Sequence, residues 1–220
     1  MAGALAPRQD VERLMAVRER GFTLVELMVA IAVMGLLLVA VSPALTDWAI
    51  NLRIRNTASA VEQGLQLARQ EAIRRNQAVG FYFVSSSAAD SGTLNNSCAL
   101  SSTDGSWVVS VRSPAGKCAT APSTTVDPMI VNSHSVGDGG RGVAVSATQA
   151  DKSTAATTVT FNGLGSVTNA GAVARVDITA ATNSNRYRSL CVELSGIGAP
   201  RVCDPALAAS DPRACRGACT

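Results

Sequence analysis

Phe22 to Leu45 reads FTLVELMVAIAVMGLLLVAVSPAL, and Glu26 is the only charged residue in it. As a helix this run is long enough to cross a bilayer core of about 30 Å, at about 1.5 Å per residue. An ionised carboxylate inside it costs up to about 2.5–3.5 kcal/mol at mid-membrane, and less toward the surface. The run therefore predicts a membrane-spanning helix, and Glu26 predicts a partner that offsets the cost.

The flanks orient that helix. A polar leader, MAGALAPRQDVERLMAVRERG (1–21), precedes it. A secretory signal would instead place small residues and its cut after the apolar run. Arg8, Arg13, Arg18 and Arg20 bias the leader toward the cytoplasm. Cys98, Cys118, Cys191, Cys203, Cys215 and Cys219 all lie beyond the run. An even number there reads as disulfides in an oxidising compartment. Zinc is the alternative, but no CxxC occurs and His134 is far in sequence from every cysteine. Six cysteines allow about 15 full pairings. Proximity in sequence favours Cys98–Cys118, Cys191–Cys203 and Cys215–Cys219; the last would close a small ring, so either member could pair elsewhere.

The 220 residues suit a membrane segment plus one soluble domain. Abundant Ser, Thr, Ala, Gly and Asn with few aromatics suit a turn-rich extracytoplasmic β domain better than a large enzyme core. Net charge is +3, and the leader supplies +1 of it, with four Arg against Asp10, Glu12 and Glu19. The remaining +2 is too weak to imply nucleic acid by bulk electrostatics, so any basic site must be local.

Pro43, near the end of the run, predicts a kink or local melting. From Asp47 to Asn76 helical periodicity resumes. Trp48, Leu52, Ala58, Val61, Leu65, Ala68 and Ala72 form one apolar seam, with most charges on other faces. One long helix results, with a membrane half (22–45) and an amphipathic half (46–77) that packs on a domain at 78–220. In that domain the stretches 79–85, 107–113, 128–131, 143–146, 157–161, 174–179 and 188–194 read as strands. Gly163 and Gly165 mark a hairpin turn, and 85–106 and 132–142 read as surface loops.

Arg20-Gly21-Phe22-Thr23-Leu24-Val25-Glu26, followed by LMVAIAVMGLLLVAV, resembles the prepilin signature of type IV pilins and type II secretion pseudopilins. The resemblance implies that a prepilin peptidase cuts between Gly21 and Phe22 and methylates the new amine of Phe22. Glycine suits the cut because it lets a protease approach the backbone. Glu26 then has a role: in a filament of staggered helices it can meet the Phe22 amine of a neighbour. Opposite charges at about 4 Å are worth about 4 kcal/mol at an effective dielectric near 20, before desolvation is subtracted.

The stretch LQLARQEAIRRNQAVGFYFV (65–84), then Trp107-Val108-Val109, TFNGLGSV (160–167), Leu190-Cys191 and Arg201-Val202-Cys203-Asp204, resembles GspH/FimT/FimU-type minor pilins and pseudopilins. The implied fold is α+β and pilin-like: a long N-terminal helix packed on a disulfide-stapled antiparallel sheet. FimT-like members implicated in DNA uptake carry a GRxR motif in the C-terminal hairpin. The corresponding stretch here is Gly198-Ala199-Pro200-Arg201, with Ala199 in place of the first arginine. Arg186, Arg188, Arg213 and Arg216 share that terminal segment with Glu193, Asp204 and Asp211, so a phosphate-contacting patch would rest on Arg201, Arg186 and Arg188.

No phosphate loop, GxSxG, HExxH or dinucleotide fingerprint occurs. Gly137–Gly142 (GDGGRG) lacks the strand–loop–helix context and GK[ST] ending of a phosphate cradle. The expectation is a structural minor pilin that needs no cofactor and no catalytic residue. It would help initiate or cap a type IV pilus, supporting twitching motility and adhesion. A type II secretion pseudopilin and a DNA-binding pilin are the alternatives. Expected partners are other minor pilins, the major pilin, the prepilin peptidase and the inner-membrane assembly platform. The expected location is the inner membrane, single-pass with a periplasmic C-terminal domain, and then the filament.

Overall fold

The computed structural model describes residues 21–87, 92–182 and 184–216, with the side chains of 40, 43 and 184 excepted. Leader residues 1–20 and Cys219 therefore lie outside the described residues. Helix α1 spans Leu24–Arg75. Thr23 caps it: its Oγ1 accepts the Glu26 N–H at 3.2 Å and its carbonyl accepts the Leu27 N–H at 3.1 Å. At the other end Asn76 adopts a left-handed φ of 49°. The Gln77 N–H reaches back to Ala72 O and the Asn76 N–H to Ile73 O, so two otherwise orphaned carbonyls are satisfied. Arg74 and Arg75 in this last turn both pair with Glu71, cations placed where the helix dipole favours them.

The chain divides into two units, Met1–Ala44 and Leu45–Thr220. In the first, the described large apolar side chains are all solvent-exposed, from Phe22 through Leu24, Leu27 and Ile31 to Val41. Among the described residues no single helix is long and apolar enough to cross a membrane by itself; Leu24–Val39 and Ala44–Arg75 meet that test only as a pair. The helical assignment continues through Pro43. Its side chain lies outside the described residues, and the kink or melting expected there stays an expectation.

In the second unit α1 buries Ile54, Ala58, Val61, Leu65, Ala68 and Ala72, at spacings of four and three. This corrects the expected seam. Trp48 is 66% and Leu52 40% exposed. Leu52 lies two residues before Ile54, about 200° round the helix, so the buried stripe continues backward through Ile50 instead.

Among the described residues eight strands follow: β1 Val79–Val84, β2 Ser106–Ser110, β3 Ile130–His134, β4 Val143–Thr148, β5 Thr158–Phe161, β6 Arg175–Ala180, β7 Leu190–Leu194 and β8 Pro200–Cys203. They form two antiparallel four-stranded sheets, ordered β3-β2-β1-β5 and β4-β6-β7-β8. Seven coincide in part with expected strands. β3 extends into the stretch read as a loop at 132–142, and β8 begins at a proline and was not expected. Pro200 starts an edge strand, a position where its missing N–H costs the ladder nothing.

Side-chain alternation divides the core. Val79, Phe81 and Phe83 of β1, with Trp107 and Val109 of β2, join the α1 stripe and both sheets in one cluster. Val84 and Val108 face the opposite side, where they pack with Cys98, Cys118 and Ile130. The expected Cys98–Cys118 disulfide is present, with Cα atoms 6.2 Å apart, and it plugs the outer face of the first sheet. Strand β1 is nearly buried throughout because both of its faces are covered.

The expected turn around Gly163 and Gly165 is present. The Gly165 N–H donates to Asn162 O and the Asn162 N–H to Ser166 O. A Cβ on Gly163 would sit 2.4 Å from Asn76 Oδ1, so the turn lies against the C-terminal end of α1. Arg69 Nε donates to Gly165 O at 3.0 Å. The β7–β8 turn touches the same place: Gly198 has φ 80°, and a Cβ there would lie 2.7 Å from Gly165 O. Gly198→Ala is expected to destabilise the domain by about 1–3 kcal/mol, through a strained φ and a backbone clash. Thermal unfolding of the full chain in neutral detergent would show a midpoint several degrees lower.

Candidate functional site

Two regions were expected to carry function: the start of α1 and the C-terminal arginines. At the first, Gly21 and Phe22 are exposed and precede the helix. Thr23 and Glu26 occupy the cap and third helical positions, a Thr-x-x-Glu pattern that matches a capping box. Reading Glu26 for its charge alone missed this local role, although the spacing was visible in the sequence.

The C-terminal arginines are organised by the second sheet. Arg175, Glu193 and Arg201 are direct cross-strand partners on β6, β7 and β8, so charges alternate across three strands. Arg201 donates to Glu193 Oε2 from Nε at 3.2 Å and from Nη2 at 2.8 Å. Its Nη2 also donates to Ala214 O at 3.0 Å. Arg175 is buried against Asp177 at 3.0 Å. Arg188 pairs with Asp204, Arg186 with Asp47 at 2.6 Å, and Arg213 with Asp211 at 3.0 Å. The Asp211 carboxyl is held below its usual range by its hydrogen bond from Arg213. The three arginines singled out as a phosphate-contacting set are thus brought near the tail and the helix, and each is matched to a carboxylate. Internal pairing lowers what each would contribute to a salt-dependent contact with nucleic acid.

The tail that supplies these contacts corrects the disulfide assignment. Cys203 bonds to Cys215, with Cα atoms 5.0 Å apart, so the expected Cys191–Cys203 and Cys215–Cys219 pairs do not form. Cys191 is disulfide-bonded as well, and Cys219 lies outside the described residues. The cause is a fold-back. Asp204 forms a parallel bridge with Ala214, its N–H donating to Arg213 O at 2.9 Å, and this sets residue 215 beside the end of β8. Cys191 and Cys203 do face each other across β7 and β8, but nearness in a hairpin did not decide the bond. Glu193, Cys203 and Cys215 come close enough to suggest a metal cluster, yet both sulfurs are spent in the disulfide.

His134, expected in a loop, stands on edge strand β3 and stacks on Trp107 with ring centroids 5.5 Å apart. Burial pushes its pKa down, with Asp138 pulling the other way. The Gly137–Gly142 stretch is a turn ahead of β4, not a phosphate cradle.

A capped helix with an outward apolar half, leading into a helix-on-sheet domain stapled by disulfides, defines a pilin-type subunit. Residues 57–198 match the family described as type II transport protein GspH, and residues 17–42 match the prokaryotic N-terminal methylation motif. The chain belongs to the GspH family of minor pilins and pseudopilins. Two crystal structures of the type IV minor pilin FimU of Pseudomonas aeruginosa (strain PAO1), in space groups P21 and P65, are similar at 15% and 14% identity. They cover 68% and 67% of this chain and 87% and 90% of their own, each with a TM-score of 0.40. A search of curated proteins finds no match.

Proposed function

We propose that the chain is a minor pilin that helps initiate or cap a type IV pilus, supporting twitching motility and adhesion. The observation that carries this reading is the first half of α1: a helix whose described large apolar side chains all face outward, directly behind a methylation motif. Such a surface needs lipid before assembly and other helices after it. The peptidase trims the chain between Gly21 and Phe22 and methylates Phe22. The subunit waits in the inner membrane with its disulfide-bonded domain in the periplasm, and then joins other minor pilins and the major pilin through the assembly platform.

A second reading, a type II secretion pseudopilin, is favoured by the matching family's description as a type II transport protein. Deleting the gene, and scoring surface piliation, protein secretion and DNA uptake side by side, separates the outcomes. Loss of piliation with normal secretion is expected. Normal piliation with blocked secretion assigns the chain to a pseudopilus, and a defect confined to DNA uptake assigns it to transformation. Before assembly the mature chain is expected to begin at Phe22, which N-terminal mass spectrometry of the membrane fraction reads directly. Wild-type chain that keeps its leader beside an active peptidase would contradict the pilin reading.

A further inference from the structure

A recess of about 530 Å³ lies between the β4–β5 turn and the β7–β8 hairpin, and its polar lining includes Lys152, Arg175, Arg201, Arg216 and Glu193. Glu193 is already committed. It accepts from Arg201 Nε and Nη2 and from the Arg216 backbone N–H at 3.0 Å, and it lies 3.8 Å from Arg175 Nη1. Arg175 is further held by Asp177. Two cationic heads are left over: neither the Lys152 ammonium nor the Arg216 guanidinium has an ion-pair partner among the described residues.

The backbone that carries each is anchored. Lys152 adopts a left-handed φ of 63° and donates its N–H to Gln149 O at 3.0 Å. Few residues other than glycine are held in that region. Next to it Asp151 accepts from the Ser153 and Thr154 N–H groups, and its hydrogen bonds with Thr154 lower its pKa to about 2. Arg216 follows Cys215, which the disulfide ties to β8. The rim is apolar. Ile197, part of the recess wall, is 71% exposed, and Leu164 on the touching turn is 84% exposed. Both project from turns built on left-handed glycines, Gly198 and Gly165.

We propose that this recess docks an acidic segment of a neighbouring filament subunit, one that offers a carboxylate flanked by aliphatic side chains. The proposal rests on the pilin reading above. Charge complementarity selects the occupant: the unpaired charge among the described residues is positive, the carboxylate within is saturated, and the apolar part of the wall includes Leu194 and Ile197. Single-stranded nucleic acid would call for a groove of free cations with aromatic stacking platforms. Here Arg175 and Arg201 are paired, and the lining offers Leu194, Ile197 and Pro200 in place of an aromatic platform.

The test uses the full-length chain in neutral detergent with its disulfides intact. A fluorescein-labelled Leu-Glu-Ile-Glu-Leu peptide is titrated by anisotropy against its Gln and Lys counterparts and against oligothymidylate of matched charge. The Glu peptide is expected to bind most tightly. The double variant Lys152→Gln/Arg216→Gln should weaken that binding about tenfold, a loss of about 1.4 kcal/mol, with its unfolding midpoint unchanged. Lys152→Glu/Arg216→Glu should exchange preference to the Lys peptide. The proposal is overturned by equal binding of the Glu and Gln peptides, by an unaffected double variant, by no binding, or by tighter binding of oligothymidylate, which would mark a phosphate site. In cells the double variant should still lose its leader. A failed dock is thereby distinguished from a failed pilin reading, which would appear as an untrimmed wild-type chain.

Discussion

Glu26→Ala is expected to leave leader removal intact and to abolish entry of the subunit into filaments. The trimmed chain would accumulate in the membrane. Cleavage depends on the Gly21–Phe22 junction, whereas assembly would draw on a carboxylate that meets the Phe22 amine of a neighbour. That attraction is about 4 kcal/mol at an effective dielectric near 20, before the cost of removing both groups from water. The capping geometry at Thr23 supplies a rival explanation, since Glu26 stands at the third helical position, from which a Glu or Gln side chain can reach back to the N–H of the cap residue. Glu26→Gln separates the two. Glutamine keeps the capping-box geometry and loses the charge, so it should fail as Ala does if pairing between subunits is the role. The readout is the ratio of filament-bound to membrane-bound mature chain. Normal filament entry of Glu26→Gln would leave capping as the function of this residue.

Phe81→Ala should be the most destabilising single change in the soluble domain, by about 3–5 kcal/mol. Phe81 is fully buried, 5.0 Å from the Phe83 ring and 5.4 Å from the Trp107 ring. It also packs so closely under α1 that a Cβ on Gly64 would come within 2.7 Å of its Cε2. A domain of ordinary stability holds only about 5–15 kcal/mol in total, so the variant should be protease-sensitive and scarce in cells. Leu164→Ala, at an exposed turn, is the control and should leave urea unfolding unchanged. Equal stability of Phe81→Ala and wild type would contradict this account of the core.

The stripe on α1 shows how far periodicity carries. From Ala58 to Ala72 the three- and four-residue spacing named the buried positions, because a helix packed on sheets must present one face. Ahead of Ile54 the same rule admitted two phases. Trp48 and Leu52 fitted one of them, but the buried face followed the other, leaving both side chains exposed. Strands with alternating or continuous apolar character were legible for the same reason. β8 was not, since a four-residue edge strand opening on Pro200 carries little pattern of its own. His134 was misplaced because its small polar neighbours, Asn132 and Ser133, read as a loop although they lie on the exposed part of β3.

What the sequence by itself determined was local: an apolar run behind Gly21, a lone acid at its start, a helix that changes character beyond Leu45, and cysteines confined to one side. These follow from composition and spacing along the chain, and no distant contact is needed to read them. The tertiary structure decided which cysteine meets which, and which arginines keep their charge free. Both depend on the tail folding back along β8 so that Ala214 meets Asp204 and Cys215 meets Cys203. Proximity through space is set there by a backbone path that neither periodicity nor sequence separation encodes.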